Sequence, residues 1–167
     1  MSGRSDVGAP SNLPPRRILV AVDFSPCSTA AARFAAALAA PVGAVIDLLH
    51  VHLHEHDEEL HAWWSTLDDR ERAARSLLSY ITAARQGELN ELAVDVRRRG
   101  VRDVNVRLVE GVPAKAIVSE AKAYDLVVLG TQGRTRLRDF IIGSVAERVV
   151  RHSPVPVLVV PEVEESR

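Results

Sequence analysis

Cysteine is almost missing from this 167-residue chain. Cys27 stands alone, so no internal disulfide can form, and a reducing, cytoplasmic setting is expected. Lysine is nearly as scarce: Lys115 and Lys122 are the only two, which together with the Ala-rich segments reads as coding bias. No apolar run approaches the roughly 20 residues needed to cross a bilayer. The first residues also lack the apolar core of a secretory signal, so neither membrane insertion nor export is expected. With a net charge of −1 there is no general electrostatic pull toward nucleic acid or an anionic membrane. Internal repeats are absent.

What is present is ordinary for a globular domain. Hydrophobic residues make up 47% and charged residues 26%, enough to build one full-sized core. Met1–Pro15, with Gly, Ser, Asn and three prolines, reads as a flexible leader, and residues 162–167 as a short polar tail. Order is expected from residue 16 to residue 161. Arg17–Val22 is an apolar strand of the doubly buried kind. Ser25 and Pro26 then supply an N-cap and a first helical residue, which predicts a helix to about Ala40. Strands follow at Ala44–Val51, Val104–Val109, Asp125–Leu129 and Val155–Val160. Apolar spacing from Leu67 to Arg99 predicts an amphipathic helix, disturbed at Gly87, and further helices are expected at Pro113–Ala123 and after Gly143. Alternation of strand and helix gives a parallel sheet in a three-layer α/β sandwich with four helices.

The most informative segment is Leu129–Ser144. A strand empties into Gly130-x-x-Gly133, and a helix begins at Gly143-Ser144. Glycines allow close approach to an anion, and a helix N-terminus offers unpaired N–H groups, so this segment suits phosphate. It is not a Walker loop, because Gly-x-x-x-x-Gly-Lys-Ser/Thr is absent. In parallel sheets ligands sit at the carboxyl ends of strands where the order reverses. That rule gathers Asp23, His50–His52 and Gly130–Gly133 around one pocket.

These residues resemble the universal stress protein family. The resemblance is carried by Ile18-Leu19-Val20-Ala21-Val22-Asp23-Phe24-Ser25, Leu48-Leu49-His50-Val51, Glu110-Gly111-x-Pro113 and Arg151–Val160. Its strongest element is Gly130-x-x-Gly133 followed, after nine residues, by Gly143-Ser144. The resemblance implies a Rossmann-like, adenine nucleotide alpha-hydrolase-like fold with sheet order 3-2-1-4-5, spanning 16–161. It implies that Asp23 and the main chain of Val51 hold the adenine end of ATP, and that Gly130, Gly133, Gly143 and Ser144 hold ribose and phosphates. Arg134 and Val145 complete the expected set. Mg2+, or Mn2+, would accompany the polyphosphate. The family's dimers imply a homodimer through Val155–Val160, an apolar edge strand.

Each part has a plainer reading. Gly130–Ser144 could be only a flexible connection, and Arg134, Arg136 and Arg138 only solvated charges. Asp23 could cap the following turn. His50, His52, His54, His56 and His61 could recruit a transition metal, but His50 and His52 also suit strand ends, and no metal is expected. Cys27 reads as a packing residue, Trp63-Trp64 as a loop anchor or a lid, and Arg97–Arg99 with Arg102 as a helix end. With no lysine in the loop and no water-orienting residue, binding or very slow turnover of ATP is expected. The expected role is a nucleotide-dependent stress sensor with an unknown protein partner. The alternatives are a chaperone-like dimer for which nucleotide is incidental and, more weakly, an adenylyl-transferring enzyme.

Overall fold

The computed structural model describes residues 14–52, 68–131 and 142–161, with side chains in the long second helix described from Tyr80 onward. Most of the expected leader, and the expected tail, lie outside the described residues. The elements are β1 (Arg17–Ala21), α1 (Pro26–Ala39), β2 (Val45–His52), α2 (Asp68–Arg98), β3 (Val104–Glu110), α3 (Pro113–Ala121), β4 (Leu126–Gly130), α4 (Ser144–His152) and β5 (Val157–Val160). A 3-10 turn at Ala40–Val42 follows α1 and ends at Gly43, whose φ of 67° suits glycine.

All pairings are parallel, in the order β3-β2-β1-β4-β5. Even-numbered positions such as Ile18, Val20, Ile46 and Leu48 face α1 and α2; Leu19, Leu49, Val127 and Leu129 face α3 and α4. The result is the three-layer sandwich that the alternation of elements predicts. β1 and β4, side by side at the centre, send their following helices to opposite faces.

The alanines of α1 bury Ala31, Ala32, Ala35, Ala36 and Ala39 and let the helix lie close to the sheet. Arg33 of α1 pairs with Asp95 of α2 at 3.2 Å, and Arg99 pairs with the same carboxylate at 3.3 Å. Burial opposes the Asp95 charge, but hydrogen bonds from Arg99 and Arg33 outweigh it and hold the carboxyl below its usual range.

Three sequence expectations are corrected. α2 runs through Gly87 without a break, since a single glycine costs a helix interior only about 1 kcal/mol. Ile81 and Ala84, expected on its buried face, are exposed, whereas Leu89, Ala93 and Val96 are buried. At 31 residues α2 is about 46 Å long. β2 spans 8 residues, about 26 Å, so the early turns of α2 overhang the carboxyl ends of the strands. β5 starts at Val157 rather than Val155, since Pro154 and Pro156 cannot donate to the ladder.

Candidate functional site at the carboxyl ends of the strands

The crevice exists because β1 stops short. Its last pair with β2 is Ala21–Leu49, closed by Val22 N–H donating to Leu49 O at 2.8 Å. β2 continues to His52. Main-chain groups alternate sides along a strand, so Val51, like Leu49, directs its N–H and C=O toward the β1 side. There β1 has already ended, and those groups face no strand.

Asp23 follows at this point. Its Oδ1 accepts from Ser25 N–H at 3.0 Å, which is the capping role that the plainer reading assigned to it. Ser25 is the N-cap of α1, accepting from Ser28 N–H at 3.2 Å, and Pro26 takes the first helical position. Between Asp23 and Ser25, Phe24 has a φ of 63°, a conformation that costs a bulky residue about 1–3 kcal/mol.

Across the crevice, Gly130 is the last residue of β4 and pairs with Val160. A Cβ there would lie 2.7 Å from the Cys27 Cβ and 2.9 Å from its carbonyl carbon. This glycine therefore has a packing reason as well as the expected phosphate one: it lets β4 pass the first turn of α1. Cys27 is buried against it, in keeping with a packing role. Gly143 N–H donates to Thr131 O at 2.7 Å and ties the start of α4 to the end of β4. Gly143 is the N-cap of α4 and Ser144 its first helical residue. No side chain caps this helix among the described residues, so Ser144, Val145 and Ala146 open it with uncapped N–H groups. Ser144 and Val145 are exposed, as are Ile142 and Val112 at the same pole. Lys115 stands exposed in the first turn of α3. It reaches this pole through topology, which scanning the loop for a lysine could not reveal. Gly133, Arg134, Arg136 and Arg138 lie outside the described residues.

The histidines divide. His50 is buried, and its Nδ1 donates to Val22 O at 2.7 Å, so that nitrogen already has a structural partner. His52 Nε2 lies 3.5 Å from Glu110, its neighbour in register on β3. His54, His56 and His61 lie outside the described residues, as do Trp63 and Trp64. Among the described residues no cluster of three or more His, Cys, Asp or Glu side chains could hold a metal ion. No described helix is long and apolar enough to cross a membrane.

A second polar cluster, unforeseen from the sequence, sits toward the opposite end of the sheet. The buried Asp47 accepts from Tyr124 Oη at 2.5 Å, Asn105 Nδ2 at 2.7 Å and Arg17 at 3.4 Å. Arg107 joins it, donating to Tyr124 Oη at 3.3 Å and pairing bidentately with Glu120. That pairing raises the Arg107 pKa above its usual range. Burial, and then the hydrogen bond to Asp47, push the Tyr124 hydroxyl up from its ordinary value. An acidic residue in the apolar first half of β2, with an arginine on β3, was the signal available.

A model of the Universal stress protein family matches residues 15–161. Universal stress protein MJ0531 of Methanocaldococcus jannaschii is 49% identical over 59 residues, 34% of this chain and 35% of the relative. The matched stretch thus spans about a third of that curated relative's length. Among solved structures, hypothetical protein MJ0577 overlays with a TM-score of 0.72 at 26% identity, covering 90% of this chain and 98% of its own. A universal stress protein in complex with cAMP overlays with a TM-score of 0.62 at 23% identity, covering 89% and 98%.

Proposed function

Because the chain belongs to the universal stress protein family, we propose that it binds an adenine nucleotide in the crevice where β1 and β4 part, and that ATP is its working ligand. The observation that carries this reading is the start of α4, which no described side chain caps and which is tied to the end of β4 beside the point where β1 stops. Its N–H groups and dipole suit phosphate. Asp23 and the Val51 peptide groups that face the gap beyond β1 supply polar partners for adenosine, and Val112, Ile142 and Val145 supply apolar surface at the same pole. The cAMP complex of a structural neighbour supports an adenine ligand. Three phosphates rest on the Gly130-x-x-Gly133 and Gly143-Ser144 spacing, with Arg134 and a bound Mg2+ or Mn2+ to offset their charge.

The role that follows is a cytoplasmic sensor in which ATP occupancy alters contact with a protein partner, with hydrolysis absent or very slow. Calorimetric titration with ATP, ADP, AMP and cAMP, with and without Mg2+, tests it. Saturable ATP binding at millimolar or tighter affinity is expected, and no uptake of any adenine nucleotide would overturn it. Hydrolysis well above background, abolished by Ser144→Ala, would overturn the non-catalytic part.

One observation favours an interaction role alongside. β5 is an edge strand. Arg33 faces α2, so Phe34 and Leu38, on the other flank of α1, stand toward β5; both are exposed. This apolar margin suits a homodimer.

A further inference from the structure

We propose that Arg85 and Phe24 are positioning residues for the Asp23 carboxylate, an inference that rests on the nucleotide-binding reading above. Phe24 is the one described non-glycine residue with positive φ, and it separates Asp23 from Ser25. Rotation about its backbone would carry the Asp23 carboxylate away from the Ser25 N–H that it accepts from at 3.0 Å. The strained conformation therefore fixes where that carboxylate points, and something must hold it.

Two described side chains do so. The His50 ring lies 4.6 Å from the Phe24 ring, centroid to centroid and tilted by 51°. His50 is itself immobilised by donating Nδ1–H to Val22 O at 2.7 Å. The Arg85 guanidinium lies over the Phe24 ring, 5.0 Å from its centroid, in cation–π geometry. Glu88 steadies the guanidinium at 2.6 Å.

The origin of Arg85 gives the contact its meaning. From Tyr80 to Ala84 the side chains of α2 are exposed, and Arg85 is the first of the described ones to be partly covered. The overhanging part of α2 is thus joined to the body of the domain beside the residue that sets Asp23. Neither Arg85 nor Phe24 needs to touch the nucleotide; each acts through Asp23.

The test pairs Arg85→Gln with the conservative Arg85→Lys, which keeps the cation, and uses the full chain throughout. Three quantities are read: ATP affinity by calorimetry, the melting temperature, and the amide exchange rate of Ser25 in the nucleotide-free protein. Arg85→Gln should weaken ATP binding about two- to five-fold, the size of one half-exposed cation–π contact. It should also speed Ser25 exchange while leaving the melting temperature within a few degrees, and Arg85→Lys should restore both. Phe24→Gly, which removes both strain and ring, should weaken binding further than Arg85→Gln; Phe24→Tyr should not. Wild-type affinity and an unchanged Ser25 amide in Arg85→Gln overturn the proposal. So does an equal loss in Arg85→Gln and Arg85→Lys that tracks melting temperature, since that marks bulk packing. If the wild-type protein takes up no nucleotide, the nucleotide reading fails separately. The Ser25 amide then still decides: faster exchange in Arg85→Gln supports the positioning contact, and no change overturns it.

Discussion

Gly130→Ala separates two reasons for a glycine at the mouth of the crevice. The added Cβ would stand 2.7 Å from the Cys27 Cβ, 2.9 Å from its carbonyl carbon and 3.1 Å from its oxygen. Two of those three atoms are backbone in the first turn of α1, which is pinned by the Ser25 cap and by buried alanines behind it. β4 lies between β1 and β5 and cannot slide aside without breaking ladder bonds on both edges. Relief must come from a small shift of helix against sheet, and overpacking of this kind costs about 1–3 kcal/mol. For a domain of this size that is a fall in melting temperature of roughly 2–12 °C. Thermal and urea unfolding followed by circular dichroism would measure it. Cys27→Ala gives no rescue, because the nearest atom is the Cβ that alanine retains; Cys27→Gly rescues in part, because the carbonyl carbon remains. A variant that melts like the wild type but no longer binds ATP would refute the packing argument and leave the glycine wholly to the ligand.

Asp23→Ala should weaken ATP binding roughly 10- to 100-fold, the worth of a hydrogen bond to a charged group, in a protein that stays folded; unchanged affinity in calorimetry removes Asp23 from the site. The Tyr124 pKa is raised in the folded state, so its contribution to stability is full below the unfolded tyrosine value of 10.0 and is lost as pH rises through the folded value. Urea midpoints should therefore fall above about pH 10. Tyr124→Phe should flatten that alkaline limb, at a cost of about 0.5–1.5 kcal/mol at neutral pH; an identical limb in the variant would assign the loss elsewhere. Val127 N–H donates to Pro156 O and Thr131 N–H to Val160 O, so Val157 and Val159 direct their peptide groups to the open edge of β5. Val159→Pro should remove an edge donor without disturbing the β4 ladder and convert a dimer of 18.2 kDa chains to a monomer by light scattering. A wild-type monomer at micromolar concentration would refute the dimer itself.

The fold was legible because its signals are local and repeat. β1 and β4 are short apolar runs, β2 begins as one, and Ser25-Pro26 marks the start of α1. Sheet order was read from the family resemblance, since strand spacing alone permits other orders. What escaped depends on contacts between distant segments. Asp47 lies in a largely apolar stretch of β2, and its partners Asn105, on β3, and Tyr124, just before β4, are far from it in sequence. Gly130 looked like a phosphate glycine, and only the approach of α1 shows the second demand on it. The helical period of α2 continues through Ile81 and Ala84, beyond the stretch that packs on the sheet, and both are exposed. Periodicity reports which face is apolar, not how far the partner extends.

The placement of the crevice follows from the unequal treatment of the two ends of β1. At its start, Asp125 accepts from the N–H groups of Arg16 and Arg17, both at 2.9 Å, and the Arg17 side chain reaches Asp47. Arg17 also lies over the Tyr124 ring, so several bonds fix the register of the strand there. At its end the strand has five residues against eight in β2, and Asp23-Phe24-Ser25-Pro26 turns the chain away at once. A strand held firmly at one end can stop early at the other without loss of register. The peptide groups its neighbours would have paired with it are left facing the gap. On this account the crevice is set by where β1 stops and by the left-handed Phe24 that stops it. Lengthening the turn after Asp23 by one residue should therefore harm ATP affinity more than stability, whereas loosening Asp125 should harm stability first.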